Sequence, residues 1–161
     1  MRALVTGTTG LLGNNVVRAL LRNGAKVRTL VRSTSSRRPL ENLPVETFQG
    51  DVVNAEEVRA ACADVDLAIH AAADVRFGWT GHEQQYDVNV QGSQNVAEAA
   101  AEQGIRMIHV SSVDALAVGK PDKPAMEAFV RERGDQLRAL RHSVNLADTA
   151  KYGSSYCRRL E

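Results

Sequence analysis

The sequence predicts an α/β domain in which a parallel sheet is covered by helices on both faces. Short apolar runs alternate with longer segments of helical period, at the spacing a strand–helix–strand crossover needs. A glycine-rich turn, TGTTGLLG at residues 6–13, falls where the first strand meets the first helix. Right-handed crossovers then restrict the topology, and the expected sheet is doubly wound, in the order 3-2-1-4-5.

Each element has its own justification. RALVT, residues 2–6, is an apolar run ending in glycine and reads as a buried strand. From Leu11 to Arg22, Leu12, Val16, Ala19 and Leu20 recur at helical spacing, and Asn23-Gly24 supplies the stop. Lys26 to Val31 is a second strand with β-branched residues, and STSSRRP after it is a polar, turn-like loop. Val45 to Gln49 makes a third strand. Asn54 caps a helix through Ala61, with Glu56 and Glu57 where carboxylates favour the positive end of the dipole. Asp66 to His70 is the fourth strand. A long helix is expected over His82 to Gln103, ended by Gly104, and Ile105 to Val110 is the fifth strand.

Residues 1–119 therefore form the expected domain. Beyond them KPDKP is a breaker cluster, residues 125–140 carry one helical period, and residues 141–161 show no strand pattern. The segment 120–161 is expected to be a divergent tail, partly helical or poorly ordered.

Composition narrows the function classes. The chain has 161 residues, 20 Lys+Arg against 19 Asp+Glu, and 43% hydrophobic residues, which argues against wholesale disorder. No apolar run approaches the roughly 18 residues of a membrane span. The amino terminus is too rich in glycine and threonine for a signal peptide. Cys62 and Cys157 make neither a metal spacing nor a disulfide framework, which fits a reducing compartment. The expectation is a soluble, cytoplasmic protein with no metal and no membrane partner.

The neutral total conceals a segregation of charge. Residues 1–40 hold eight Lys/Arg and no acid, whereas residues 41–103 hold twelve Asp/Glu and only Arg59 and Arg76 as bases. A basic block can serve nucleic acid, but the aromatics that would stack on unpaired bases make up only 4% of this chain. A small phosphorylated ligand fits better.

The glycine loop carries the chemistry. Gly7 allows a tight turn, Gly10 lets backbone N–H groups approach a pyrophosphate, and Gly13 lets helix and strand pack closely. With Thr9 they form the expected phosphate-binding set, at a GxxGxxG spacing. Free N–H groups and the dipole favour an anion at such a helix start. The end of strand two adds selectivity. An acid there would hold a ribose 2′-hydroxyl and repel a 2′-phosphate; this chain has LVRSTSSRR, with Arg32, Arg37 and Arg38. Arg32 is expected to favour NADP(H) over NAD(H), against the plainer reading that these arginines solvate a loop.

TGTTGLLG, GDV (50–52), HAAAD (70–74), NVQGSQNV (89–96) and VSSVDAL (110–116) follow in that order. Together they resemble the extended short-chain dehydrogenase/reductases, particularly the dihydroflavonol-reductase-like and nucleotide-sugar-epimerase-like branch, over residues 1–119. The resemblance implies a Rossmann-like domain in which Leu11 and Leu12 lend backbone to the pyrophosphate. It implies that Asp51 and Val52 hold the adenine, that Ala71, Ala72 and Ala73 line the cofactor, and that Asn89 braces the sheet. For the alanines simple packing stays open, and for Asp51 a turn carboxylate.

In that family a Ser or Thr after strand five orients a carbonyl, and a Tyr four residues before a Lys passes a proton. Ser112, or its neighbour Ser111, matches the first. Tyr152-Gly-Ser-Ser-Tyr156 resembles the second, but Tyr156 stands where the family has lysine and cannot lower the Tyr152 pKa. Tyr152 is also readable as an incidental tail residue. His70 and His109, at strand ends, read as packed histidines. Cys62 lacks a basic sequence neighbour to make it a thiolate. Phe77 and Trp79 suit a substrate pocket or a loop anchor.

The resemblance thus implies an NADP(H)-binding protein of oxidoreductase/epimerase ancestry, a reductase of a carbonyl or sugar-nucleotide-like substrate if active. The alternatives are a non-catalytic NADP(H)-binding module or an inactive remnant of a truncated reductase, and the oligomeric state stays open.

Overall fold

The structure, a computed structural model, describes residues 1–75 and 82–112. Phe77, Trp79, the helical period over 125–140, Tyr152, Tyr156, Cys157 and the boundary after residue 119 lie outside the described residues. The chain divides after Val110, and of the second unit, Ser111–Glu161, only Ser111 and Ser112 are described.

Five strands, β1 (Arg2–Thr6), β2 (Lys26–Val31), β3 (Val45–Gln49), β4 (Leu67–His70) and β5 (Arg106–His109), form one parallel sheet. Their order is β3-β2-β1-β4-β5, the expected one. The strand period of two sends Leu4, Leu30 and Ala68 to one face and Val5, Val27 and Ile69 to the other. Helix α1 (Leu11–Arg22) covers the second face with Val16, Val17, Leu20 and Leu21. Helices α2 (Ala55–Ala61) and α4 (Gly92–Glu102) cover the first with Val58, Ala61, Val96 and Ala99. Burial on both faces is why the central strands read as nearly continuous apolar runs.

Local chemistry sets the element ends. Asn54 caps α2, its Oδ1 accepting from the N–H groups of Glu56 (3.1 Å) and Glu57 (3.3 Å). Arg28 lies on the face that α2 and α4 cover. Its guanidinium pairs with Glu46 at 2.9 Å and donates to the Ala61 and Ala63 carbonyls at the end of α2, at 2.9 and 2.6 Å. There the cation also meets the negative end of the helix dipole.

The helix expected over His82 to Gln103 is present, with a feature that the sequence does not announce: it consists of α3 (His82–Tyr86), a π-helical turn (Asp87–Gln91) and then α4. A π turn accommodates one extra residue without changing which residue types are apolar, so periodicity does not reveal it. Among the described residues, no helix is long and apolar enough to cross a membrane, and no cluster of His, Cys, Asp and Glu could hold a metal ion.

Candidate functional site

A cleft of about 480 Å³ opens at the carboxyl ends of β1, β2, β3 and β4. It lies where the strand order reverses, between β1 and β4, the place where open α/β sheets bind ligands. Gly7, Thr8, Thr9 and Gly10 form its floor, Arg32 and Ser35 one side, Asp51 and Val52 a second, and Ala71 to Val75 a third.

Gly7 has φ +68°, and a Cβ there would overlap the Ala71 carbonyl; a Cβ on Gly13 would overlap the carbonyl of Gly7 itself. The loop therefore closes on its own helix, with the Gly10 N–H donating to Gly7 O at 3.1 Å. Gly10 is the N-cap of α1, no side chain caps the helix, and its first turn carries no acid. The positive end of the dipole faces the cleft uncompensated. Beside it the Thr8 Oγ1 is buried with no hydrogen-bond partner. An uncapped helix start and an orphaned hydroxyl are the donor set that a diphosphate satisfies.

The opposite walls are pinned from several elements. The Asp51 N–H donates to Glu57 Oε2 of α2 at 2.8 Å, and the Val52 carbonyl accepts from Asn95 Nδ2 of α4 at 2.8 Å. Asp51 is a turn carboxylate, with Oδ1 accepting from the Val53 N–H at 3.3 Å, and it also lines the cleft. The Thr6 Oγ1 accepts from the N–H groups of Ala71 and Ala72, each at 3.2 Å. Asn89, on the π turn, brackets the backbone of Asp74: its Oδ1 accepts from the N–H at 2.7 Å and its Nδ2 donates to the carbonyl at 2.9 Å.

The sequence-derived residues separate accordingly. Gly7, Thr9, Gly10, Arg32, Asp51, Val52, Ala71, Ala72 and Ala73 line the cleft. Gly13 is buried behind the loop, Asn89 acts on Asp74 from outside, and Leu11 and Leu12 expose most of their side chains at the start of α1. Arg37 reaches Gln49 at 3.4 Å and Arg38 opens a 3-10 turn (Arg38–Leu40), while Arg32 alone of the three lines the cleft. Among the described residues the ion pairs are Arg28–Glu46 and Arg59–Glu102, which leaves the Arg32 charge uncommitted.

Sequence reasoning missed Thr8, Ser35, Asp74, Val75, Gln84 and Val88. Thr8 and Asp74 stood inside the quoted motifs; Gln84 and Val88 arrive from α3 and the π turn with no local signal. His70 is packed, as expected, stacked on His109 with ring centroids 5.5 Å apart. Burial pushes the Cys62 thiol up to about 11; Arg28, distant in sequence, lowers it only in part, so the thiol stays protonated.

The cleft has relatives. Residues 3–139 match the NAD dependent epimerase/dehydratase family. Sterol demethylase protein B of Methylococcus capsulatus is 39% identical over 119 residues, 73% of this chain and 36% of that protein. A putative dihydroflavonol 4-reductase of Synechocystis is 36% identical over 126 residues, 78% of this chain and 36% of that protein. The chain thus spans about a third of the length of these curated relatives. The crystal structure of Bordetella bronchiseptica WbmG in complex with NAD superposes with a TM-score of 0.71 at 22% identity, covering 97% of this chain and 50% of that one. The glycine loop, the strand order and the matched span agree: the chain belongs to the NAD dependent epimerase/dehydratase family of extended short-chain dehydrogenase/reductases and has oxidoreductase ancestry.

Proposed function

We propose that the cleft binds a pyridine dinucleotide and prefers NADP(H) to NAD(H). Arg32, with its charge uncommitted on the cleft wall opposite an uncapped helix start, is the observation that carries this reading. The backbone from Gly7 to Gly13, with Thr9 and the starts of Leu11 and Leu12, receives the diphosphate. Asp51 and Val52 hold the adenine, the latter two positions being fixed by Glu57 and Asn95. Ala71, Ala72 and Ala73 let a flat ring lie close, and Asn89 keeps that wall in place through Asp74. A guanidinium can grip a 2′-phosphate with two parallel N–H donors.

The bound dinucleotide would supply hydride chemistry. Around it, Ser112 is proposed to orient a carbonyl or sugar-nucleotide-like substrate, with Tyr152 as the proton-passing group. Tyr156 at the lysine position favours a second reading, a module that binds NADP(H) without turnover. The two cysteines, lacking a disulfide framework, support a cytoplasmic setting.

Fluorescence titration with NADPH and NADH tests the reading. Wild type is expected to bind NADPH more tightly, and Arg32→Ala to shrink the NADPH/NADH affinity ratio by about tenfold or more, as loss of a charged hydrogen-bonding pair does. A ratio that Arg32→Ala leaves unmoved removes Arg32 as selector. Consumption of NADPH with a panel of carbonyl substrates separates a reductase from a binding module.

A further inference from the structure

We propose that Asn14 is a positioning residue for cofactor choice, tying the loop that follows β2 to the start of α1. This deepens the reading of Arg32 as the 2′-phosphate partner and rests on it. Asn14 is half-buried directly after Gly13, and its Nδ2 donates to the Pro39 carbonyl at 2.8 Å. The same Nδ2 lies 3.4 Å from the Thr8 carbonyl, in the glycine loop. Its Oδ1 accepts from Arg18 Nε, one turn further along α1, at 2.9 Å.

A guanidinium has donors only and a carbonyl accepts only, so the amide satisfies Arg18 and Pro39 in a single orientation. Flipping it would lose both bonds. Arg18, exposed on the helix, thereby orients Asn14 towards the loop.

The loop needs such a tie. It leaves β2 at Val31, meets β3 through the long Arg37–Gln49 bond, and is buried again at its far end, where Leu40 sits in the 3-10 turn. Between these points Arg32, Ser33, Thr34, Ser36, Arg37 and Arg38 are exposed, with the Ser35 N–H donating to the Arg32 carbonyl at 3.1 Å. Arg32 and Ser35 line the cleft, so the height of this loop sets where a guanidinium and a hydroxyl stand relative to the diphosphate site. Asn14 touches both the turn that receives the diphosphate and the loop that carries the selector. It registers one against the other.

Kd values for NADPH and NADH are measured for wild type, Arg32→Ala, Asn14→Ala and the double variant, with hydrogen exchange of residues 33–38 followed in the unliganded chain. Asn14→Ala is expected to speed exchange in that segment and to lower the NADPH/NADH affinity ratio by about 3- to 10-fold, the worth of one hydrogen bond. Added to Arg32→Ala, it should move the ratio no further, because it acts through Arg32. A ratio moved by Arg32→Ala but not by Asn14→Ala overturns the role of Asn14 alone. Equal weakening of both cofactors also overturns it, since that would place Asn14 in the service of the glycine loop. A ratio that Arg32→Ala leaves unmoved overturns the Arg32 reading and this one together. If Asn14→Ala does not fold, Arg18→Ala, on the helix surface, is expected to lower the ratio in the same direction by a smaller factor, and an unchanged ratio there overturns the proposal.

Discussion

The Thr6 hydroxyl and the His70 ring are locked into one hydrogen-bond direction. Thr6 Oγ1 lies 2.8 Å from His70 Nδ1 and already accepts from two backbone N–H groups, those of Ala71 and Ala72. Its own hydrogen therefore goes to Nδ1, which must be unprotonated. A neutral His70 then carries its hydrogen on Nε2, facing Ser93 Oγ at 3.1 Å, and Ser93 in turn donates to the Asn89 carbonyl at 2.7 Å. The ends of β1 and β4, the helix behind them and the alanine wall of the cleft form one polar chain.

Thr6→Val keeps the β-branched shape and removes the hub. The Ala71 and Ala72 N–H groups and His70 Nδ1 then lose their partner, at a cost of about 2–3 kcal/mol in stability, by the usual price of unsatisfied buried groups. Urea denaturation measures it. NADPH affinity should fall as well, because the wall proposed to face the cofactor is no longer held; a variant as stable and as tight-binding as wild type would contradict the hub.

Acid should weaken the fold through the same chain. Burial, with His109 adding to it, pushes His70 from 6.5 down to about 3, and burial lowers His109 too. The unfolded chain therefore binds the proton first. Stability is full above pH 6.5 and is lost as pH falls towards 3, by about 1.4 kcal/mol per pH unit for a single histidine. Urea midpoints should decline from pH 7.5 to 6.0 and more steeply from 6.0 to 5.0. In His70→Gln, which retains a donor for Ser93, the decline should flatten by about one proton; equal slopes would show that His70 is not the group titrating.

Gly7→Ala combines a left-handed backbone with an overlap on the Ala71 carbonyl. Strain of that kind costs about 1–3 kcal/mol, and relieving the overlap displaces either the turn or the alanine wall. The expected outcome is a thermal midpoint lower by several degrees and no saturable NADPH fluorescence change. Retained binding would mean that the diphosphate does not sit on this turn.

Asn89→Ala provides the contrast to Asn14→Ala. Loss of both bonds to the Asp74 backbone should weaken NADPH and NADH alike, by about tenfold, and leave their ratio unchanged. In the proposed binding mode the wall between Ala71 and Val75 faces parts that the two cofactors share. A shift in the ratio would show instead that this wall takes part in selection.

Most of the architecture was legible because its causes are local. Apolar runs at period two, the Asn54 cap with Glu56 and Glu57, and glycines at fixed offsets after a strand each act within a few residues. The π turn at Asp87–Gln91 was not legible, because an extra residue in a helix leaves the sequence pattern nearly intact.

By itself, then, the sequence determined the strand order, the glycine-rich turn and the absence of acids from the first 40 residues that contain it. Tertiary structure decided which of three nearby arginines reaches the cleft, that burial raises the pKa of Cys62 against the smaller opposing effect of Arg28, and how His70 is protonated. The reason lies in distance along the chain. Thr6 and His70 are 64 residues apart, His70 and Ser93 are 23, and Asn14 and Pro39 are 25. No spacing rule spans such gaps; only the pairing of β1 with β4 on one side and β2 on the other, and the packing of helices against the sheet, brings those atoms within hydrogen-bond reach.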